Sequence, residues 1–226
     1  MKYKEEILLN GLVRYHNSVT EGGGRWMRYG LIDAIQKHGS KECYDRAYEW
    51  CSGSAPIGFA MLDLDIANHI TLADKFELAV NDCNHTLVKN DITHKGEAFL
   101  SDTVAGIPDT GKWDLVVSNP PHCDTVSWDM SEHHKRILGD PEWKTHEEFY
   151  ANIRPRLTDD AELFIIEHTA NYMELFMPMA TEAGLELWDV YPMTMESTQK
   201  LGAYHRPDAG GWESTWYIMH MKLMEL

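Results

Sequence analysis

Apolar positions along this chain follow two periods in turn. Compact runs in which alternate or successive residues are hydrophobic read as strands: "AYEW", "HITLAD", "GEAFLSD", "WDLVVS" and "AELFIIEH". Between them lie segments with apolar residues at helical spacing. "KFELAVNDCNHTLVKN" follows the second run, and "TANYMELFMPMATEAG", closed by Gly184, follows the fifth. Upstream, "LIDAIQKH" predicts a helix with Gly39 just past its end. Before the fifth run, Thr145 and Glu148 have capping-box spacing, and Phe149, Ile153 and Leu157 follow at helical intervals. The chain closes with "GLELWDVYPM" and "STWYIMHMKL", two β-rich runs expected to pair antiparallel at a sheet edge. Strands alternating with helices predict βαβ units around a mostly parallel sheet of seven strands, an α/β doubly wound architecture with an antiparallel edge strand.

Length and composition add limits. A chain of 226 residues buries one sizeable core, so one principal domain is expected over residues 46–226. Residues 1–45 read as a short amino-terminal extension, with "GGGRWMRYG" (Gly22 to Gly30) as a turn-rich break. With 43% hydrophobic and 25% charged residues this is an ordinary globular composition. No apolar run approaches the roughly 18 residues of a membrane span, and "MKYKEEILLNG" has no leader-like apolar region, so a cytoplasmic protein is expected. Cys43, Cys51, Cys83 and Cys123 lie far apart, which argues against a cysteine zinc site or a disulfide framework. The formal net charge of −16 and the lack of a basic block count against long-range attraction to nucleic acid.

Open α/β sheets bind ligands at the carboxyl ends of their strands, and four such ends carry suggestive residues. The first leads from Glu49 into "CSGSA", where Cys51, Gly53 and small neighbours let a backbone approach a ligand. The second ends in Asp74, able to accept both hydroxyls of a ribose, and the third in Asp102, able to accept from an exocyclic amine. The fourth runs into Asn119-Pro120-Pro121-His122. Two successive prolines remove two donors and fix two φ angles, so the asparagine sits on a rigid corner. No G-x-G-x-x-G or Walker pattern occurs.

In order and spacing, "EWCSGSAPIG", "ADKFELA", "SD" and "DLVVSNPPH" resemble the class I methyltransferases that use S-adenosylmethionine. They look most like the N-methyltransferases with an Asn-Pro-Pro-aromatic motif, a group holding the glutamine methyltransferases of release factors and ribosomal proteins and the amino-methyltransferases of RNA and DNA. "LFIIEH" resembles the fifth strand of the release-factor type. The resemblance covers roughly Tyr48 to Leu223 and implies a Rossmann-like fold. It implies that Asn119 and the carbonyl of Pro120 accept hydrogen bonds from a target NH2, beside Pro121, with His122 where the family usually has a larger aromatic. It also implies S-adenosylmethionine as cofactor, bound by Glu49, Cys51, Gly53, Asp74, Asp102 and Asn119, with Glu49, Gly53 and neighbouring backbone lining its methionine part, Asp74 its ribose and Asp102 its adenine. Cys51 and Ala55 depart from the family, which commonly has glycine there, so an altered loop path is expected.

The favoured target is a glutamine side-chain amide in a protein; the alternatives are an adenine or guanine exocyclic amine of RNA or DNA, a small-molecule nitrogen, or, in another class, a non-catalytic cofactor-binding scaffold. A homodimer or an activating partner is compatible with the sequence. Each residue also has a structural reading: Asp74 as a cap on the next helix, Asp102 as a solvated turn acid, Gly53 as a tight turn. His122, His133, His134, His146 and His168 match no metal-ligand spacing, and no metal is expected. The connection Cys123 to Trp143 is expected to shape a substrate pocket, and "YHRPDAGGW" (Tyr204 to Trp212) to form a loop between the last strands.

Overall fold

The computed structural model describes residues 3–20, 24–125, 131–168, 172–193 and 216–224. Seven strands form the central sheet: β3 (Tyr44–Trp50), β4 (Ala67–Asp74), β5 (Gly96–Leu100), β6 (Trp113–Ser118), β7 (Leu157–His168), β8 (Leu185–Pro192) and β9 (Trp216–Leu223). Their order is β5-β4-β3-β6-β7-β9-β8. The first five strands pair in parallel, and β9 runs antiparallel to both of its neighbours. The expected antiparallel pair is therefore present, with β8 on the edge and β9, the reversed strand, inserted between β8 and β7.

Period-two burial explains how the sheet carries two cores. Phe164 and Ile166 of β7 face one way, into a cluster with Leu115 and Val117 of β6 and with the helices α1 (Gly24–His38), α2 (Pro56–Asp63) and α3 (Glu77–Lys89). Leu163 and Ile165 face the other way, against Phe149, Tyr150 and Ile153 of α5 (Lys144–Ile153) and Ala180 of α6 (Met177–Glu182). Both faces are covered, as a doubly wound sheet requires.

Four local expectations are corrected. The break at Gly22–Gly30 is helical from Gly24 onward; Met27, Leu31, Ile32 and Ile35 bury one stripe of α1 against the sheet, and that burial outweighs the poor propensity of glycine. Thr145 does not cap α5, because it lies inside the helix. Its N–H donates to Asp140 Oδ1 at 2.8 Å and that of His146 to Asp140 Oδ2 at 3.2 Å, so a carboxylate upstream takes the cap's place. Leu157 starts β7 rather than extending α5, because Pro155 turns the chain through a 3-10 turn, Arg154–Arg156. The helix expected from "TANYMELFMPMATEAG" is a π-helical turn, Tyr172–Phe176, followed by α6, with Pro178 in the first turn where its missing N–H does no harm.

The first residues form a hairpin, β1 (Lys4–Ile7) with β2 (Val13–His16), lying on α3. Its clips are polar and buried. Tyr15 N–H donates to Thr86 Oγ1, and Asn17 N–H, Asn17 Nδ2 and Thr20 Oγ1 all donate to Asp82, which has no exposed surface. Arg14, also fully buried, pairs with Glu6 at 2.7 Å and donates to Ser54 Oγ at 2.7 Å. Burial works against the Glu6 carboxylate, but Arg28 and Arg14 hold its pKa at about 2.

Candidate active site

At the carboxyl ends of β3, β4 and β6 lies a cavity of about 590 Å³, within the usual range for small-ligand sites. Glu49, Cys51, Gly53, Asp74, Asp102, Asn119, Pro120, Pro121 and His122 all line it. Residues spread over 74 positions of sequence are thus brought to one cavity by parallel strand pairing; Trp50, for instance, lies between Ala73 and Ser118 in register.

The loop after β3 is held from every side. Cys51, Gly53 and Ala55 all have φ near 53°, a left-handed conformation that suits glycine at all three positions. Cys51 and Ala55, where the resemblance led one to expect glycine, hold a left-handed φ that glycine adopts without strain. At Gly53 a Cβ would lie 3.3 Å from the Thr20 carbonyl oxygen. Asp74 Oδ2 accepts from Gly53 N–H at 2.8 Å, and its Oδ1 accepts from Phe76 N–H, also at 2.8 Å, just ahead of α3. Asp74 therefore pins the turn ahead of α3 as well as forming a cavity wall. Burial raises its pKa despite those two bonds. Each carboxylate oxygen retains acceptor capacity beyond its one backbone bond.

Glu49 is 2% exposed, and its oxygens accept from Gly58 N–H at 2.7 Å and Ile57 N–H at 3.4 Å, at the start of α2. Burial pushes its pKa up to about 8. A Cβ at Gly58 would sit 2.8 Å from Glu49 Oε2, so that glycine gives the carboxylate access to the helix. Asp102 is exposed at the rim, 3.6 Å from Lys75 Nζ.

On the other wall, Asn119 Oδ1 lies 3.1 Å from His122 Nε2. Only 8% of the His122 side chain is exposed, and its ring meets Trp216 edge-on at 4.3 Å. Behind it is a buried chain of titratable groups. His122 Nδ1 faces Glu167 Oε2 across 3.6 Å; Glu167 Oε1 is 3.0 Å from His146 Nε2, and His146 Nδ1 is 2.6 Å from Asp140 Oδ2. Burial opposes a charge on His146, yet Glu167 and Asp140 lift its pKa to about 9. Burial likewise opposes the Glu167 carboxylate, and the two histidines still bring its pKa below the ordinary value. For His122 burial wins, and its pKa falls. Among the described residues no group of three His, Cys, Asp or Glu is arranged to hold a metal.

The connection after the motif does line the cavity, through Cys123 and then Arg136, Ile137 and Leu138 of α4 (Glu132–Leu138). Residues 126–130 and the Tyr204–Trp212 loop lie outside the described residues. Sequence reasoning missed Val19, Thr20, Phe76 and Trp216 as cavity walls, and the Asp140–His146–Glu167 chain. Glu167 carried a signal, a lone acid inside the apolar run "LFIIEH". The others carried none.

Comparison with known proteins supplies the family. A model described as the methyltransferase small domain matches residues 31–171, more than half of the chain. The chain belongs to the methyltransferase small-domain family. Ribosomal protein uL3 glutamine methyltransferase of Francisella tularensis subsp. tularensis is 34% identical over 83 residues, 37% of this chain. Ribosomal RNA small subunit methyltransferase C of Pseudoalteromonas translucida is 34% identical over 97 residues, 43% of it. The matches span only about a quarter of those relatives, 26% and 24% of their lengths. Among solved structures, the ribosomal protein L11 methylase of Lactobacillus delbrueckii subsp. bulgaricus aligns with a TM-score of 0.57 at 11% identity, over 86% of this chain and 77% of that one. The tRNA m1G37 methyltransferase of M. jannaschii aligns at 0.59 and 13%, over 99% and 57%. At such identities the likeness is one of fold. No helix among the described residues is long and apolar enough to cross a membrane.

Proposed function

We propose that this methyltransferase moves the methyl group of S-adenosylmethionine to a planar nitrogen, with a glutamine side-chain amide of a protein as the favoured acceptor. The observation that carries this reading is the Asn119-Pro120-Pro121-His122 corner closing the same cavity as Asp74 at the end of β4 and Asp102 two residues past β5. A scaffold would need no rigid pair of acceptors there.

S-adenosylmethionine, when bound, supplies an electrophilic methyl group on a sulfonium. The residues fit such a group. Asp74 has acceptor capacity for ribose hydroxyls, Phe76 a flat apolar face, Asp102 an acceptor for an adenine amine, and the Cys51–Ala55 loop a backbone shaped for close approach. Glu49 fixes the base of that loop through α2. Opposite, Asn119 Oδ1 and the Pro120 carbonyl accept the two protons of the target NH2 and hold its lone pair toward the methyl group. An amide nitrogen is a poor nucleophile because its lone pair is delocalised, so the catalysis asked of the protein is positioning and stabilisation of the developing positive charge.

Protein is favoured over RNA by the net charge of −16 and by the glutamine methyltransferase among the relatives. The rRNA methyltransferase relative supports a second reading, an exocyclic base amine, to which Lys75 and Arg136 at the cavity would suit a phosphate. Titration calorimetry with S-adenosylmethionine tests the cofactor: one-to-one binding is expected, lost in Asp74→Ala. Methyl transfer to glutamine peptides and to rRNA fragments then separates the readings, with Asn119→Ala expected to cost at least about 10²-fold in kcat. An RNA acceptor would show steep weakening with salt, a peptide acceptor would not. Full activity in Asn119→Ala sinks the positioning mechanism.

A further inference from the structure

The histidine at the motif's fourth position stands on a buried acid that the mechanism above leaves unused. His122 Nδ1 and Glu167 Oε2 face each other across 3.6 Å, and neither has another hydrogen-bond partner among the described residues. On its other side His122 Nε2 meets the Asn119 amide at 3.1 Å. Glu167 is 1% exposed and is itself fixed by His146, which Asp140 holds from behind. The ring therefore connects a buried carboxylate to the very amide whose orientation the reaction needs.

A neutral imidazole carries one N–H, and a carboxamide presents either its oxygen or its NH2 according to rotation about its last bond. The proton on Nε2 would donate to Asn119 Oδ1, the atom the structure places there, but would leave the bare Nδ1 lone pair opposed to a carboxylate in a buried site. The proton on Nδ1 satisfies both orphans by a small approach of the ring to Glu167. It also leaves Nε2 as an acceptor that, among the described residues, the Asn119 NH2 is placed to fill, and so turns the Asn119 oxygen toward the target.

We propose that Glu167 is a positioning residue for the methyl-acceptor site: it fixes His122 as the Nδ1–H tautomer, and His122 in turn fixes Asn119 with its carbonyl oxygen toward the target nitrogen. This rests on the reading of Asn119 above. It assigns no contact with substrate to Glu167. The groups facing the His122–Glu167 pair are His168 on β7, His146 and Tyr150 on α5, Asp140 ahead of it, Tyr172 in the π-helical turn and the Trp216 ring on β9. Burial keeps His122 neutral near pH 7, so its tautomer is the variable that Glu167 sets.

Long-range ¹H–¹⁵N spectra of the full chain, labelled with ¹⁵N-histidine, read that tautomer directly, His122 being identified by its loss in His122→Tyr. The Nδ1–H pattern is expected at pH 7.5 in the unaltered chain, with the proton moving to Nε2 in Glu167→Gln. An Nε2–H or doubly protonated ring in the unaltered chain overturns the proposal, and that measurement needs only the assigning variant, His122→Tyr, to fold. In methyl-transfer assays, Glu167→Gln should lower kcat by about 10²-fold with S-adenosylmethionine affinity unchanged. The same change should cost little in a His122→Tyr background, where no tautomer exists to be set. Equal losses in both backgrounds would make Glu167 merely structural and sink the positioning role. A fully active Asn119→Ala overturns the reading of the site itself, whereas a wrong tautomer beside an inactive Asn119→Ala overturns the role of Glu167 alone.

Discussion

At Cys51, Gly53 and Ala55 one backbone conformation is met by three different side chains. A left-handed φ costs a residue with a Cβ about 1–2 kcal/mol, and glycine almost nothing. The two directions of change should therefore have opposite signs. Gly53→Ala is expected to lose about 1–2 kcal/mol, because its new Cβ also meets the Thr20 carbonyl at 3.3 Å. Cys51→Gly should gain up to about 1 kcal/mol, since relief of φ exceeds the added freedom of the unfolded chain. Urea denaturation of both variants checks the pair, and a stabilised Gly53→Ala would refute the assignment of strain. Ala55 is fully buried, so its glycine variant also loses a packed methyl of about 0.8 kcal/mol and should come out near neutral. The sequence showed that these positions matter; the cost of the two departures from glycine became visible only with the dihedral angles.

Among the elements, the β1–β2 hairpin is clipped to α2 and α3 by side chains of Asp63, Asn90, Thr86 and Asp82, of which Asp82 holds the residues just past β2. Asp82 accepts three hydrogen bonds from Asn17 and Thr20 with no surface exposed. Removing it strips a buried carboxylate from all three donors, so Asp82→Ala should cost about 3 kcal/mol or more. Because Val19 and Thr20 line the cavity, S-adenosylmethionine affinity should fall in the same variant. Hydrogen exchange would show the loss first at residues 13–20; uniform loss across the sheet instead would mean that the hairpin is no separate clip. None of this was legible in "NDCNHT", where Asp82 reads as one more polar helical position. By contrast β4, β6 and β7 were legible as strands, because dense apolar runs buried on both faces have no other comfortable state.

For the whole molecule, pH acts through the buried groups. His146 binds its proton more tightly folded than unfolded, its pKa rising from 6.5 to about 9, and Glu49 does the same, from 4.5 to about 8. A raised pKa contributes stability that is complete below the unfolded value and lost as pH climbs through the folded one. Glu6, Glu167 and Asp140 have lowered values, so their contributions are lost only on the acid side. Between about pH 6.5 and 9 the folded state should therefore weaken, His146 alone contributing on the order of 3 kcal/mol. Urea midpoints across that range test this, with His146→Gln expected to flatten the slope. A midpoint that rises with pH in the unaltered chain would contradict the charged His146.

The sequence by itself determined the alternation of strands and helices, the parallel majority of the sheet and the corner at Asn119, since each follows from local periodicity or from proline's missing donor. It also named nine residues that share one cavity, because parallel strands of βαβ units place their carboxyl ends along one edge whatever lies between. Tertiary structure alone decided what stands behind that edge. Asp140, His146 and Glu167 meet across α5 and β7, and Trp216 reaches His122 from a strand inserted next to β7. Such contacts depend on strand order and on which helix covers which face. Those are settled by the competition of whole elements for burial, and no spacing within a single segment records the outcome.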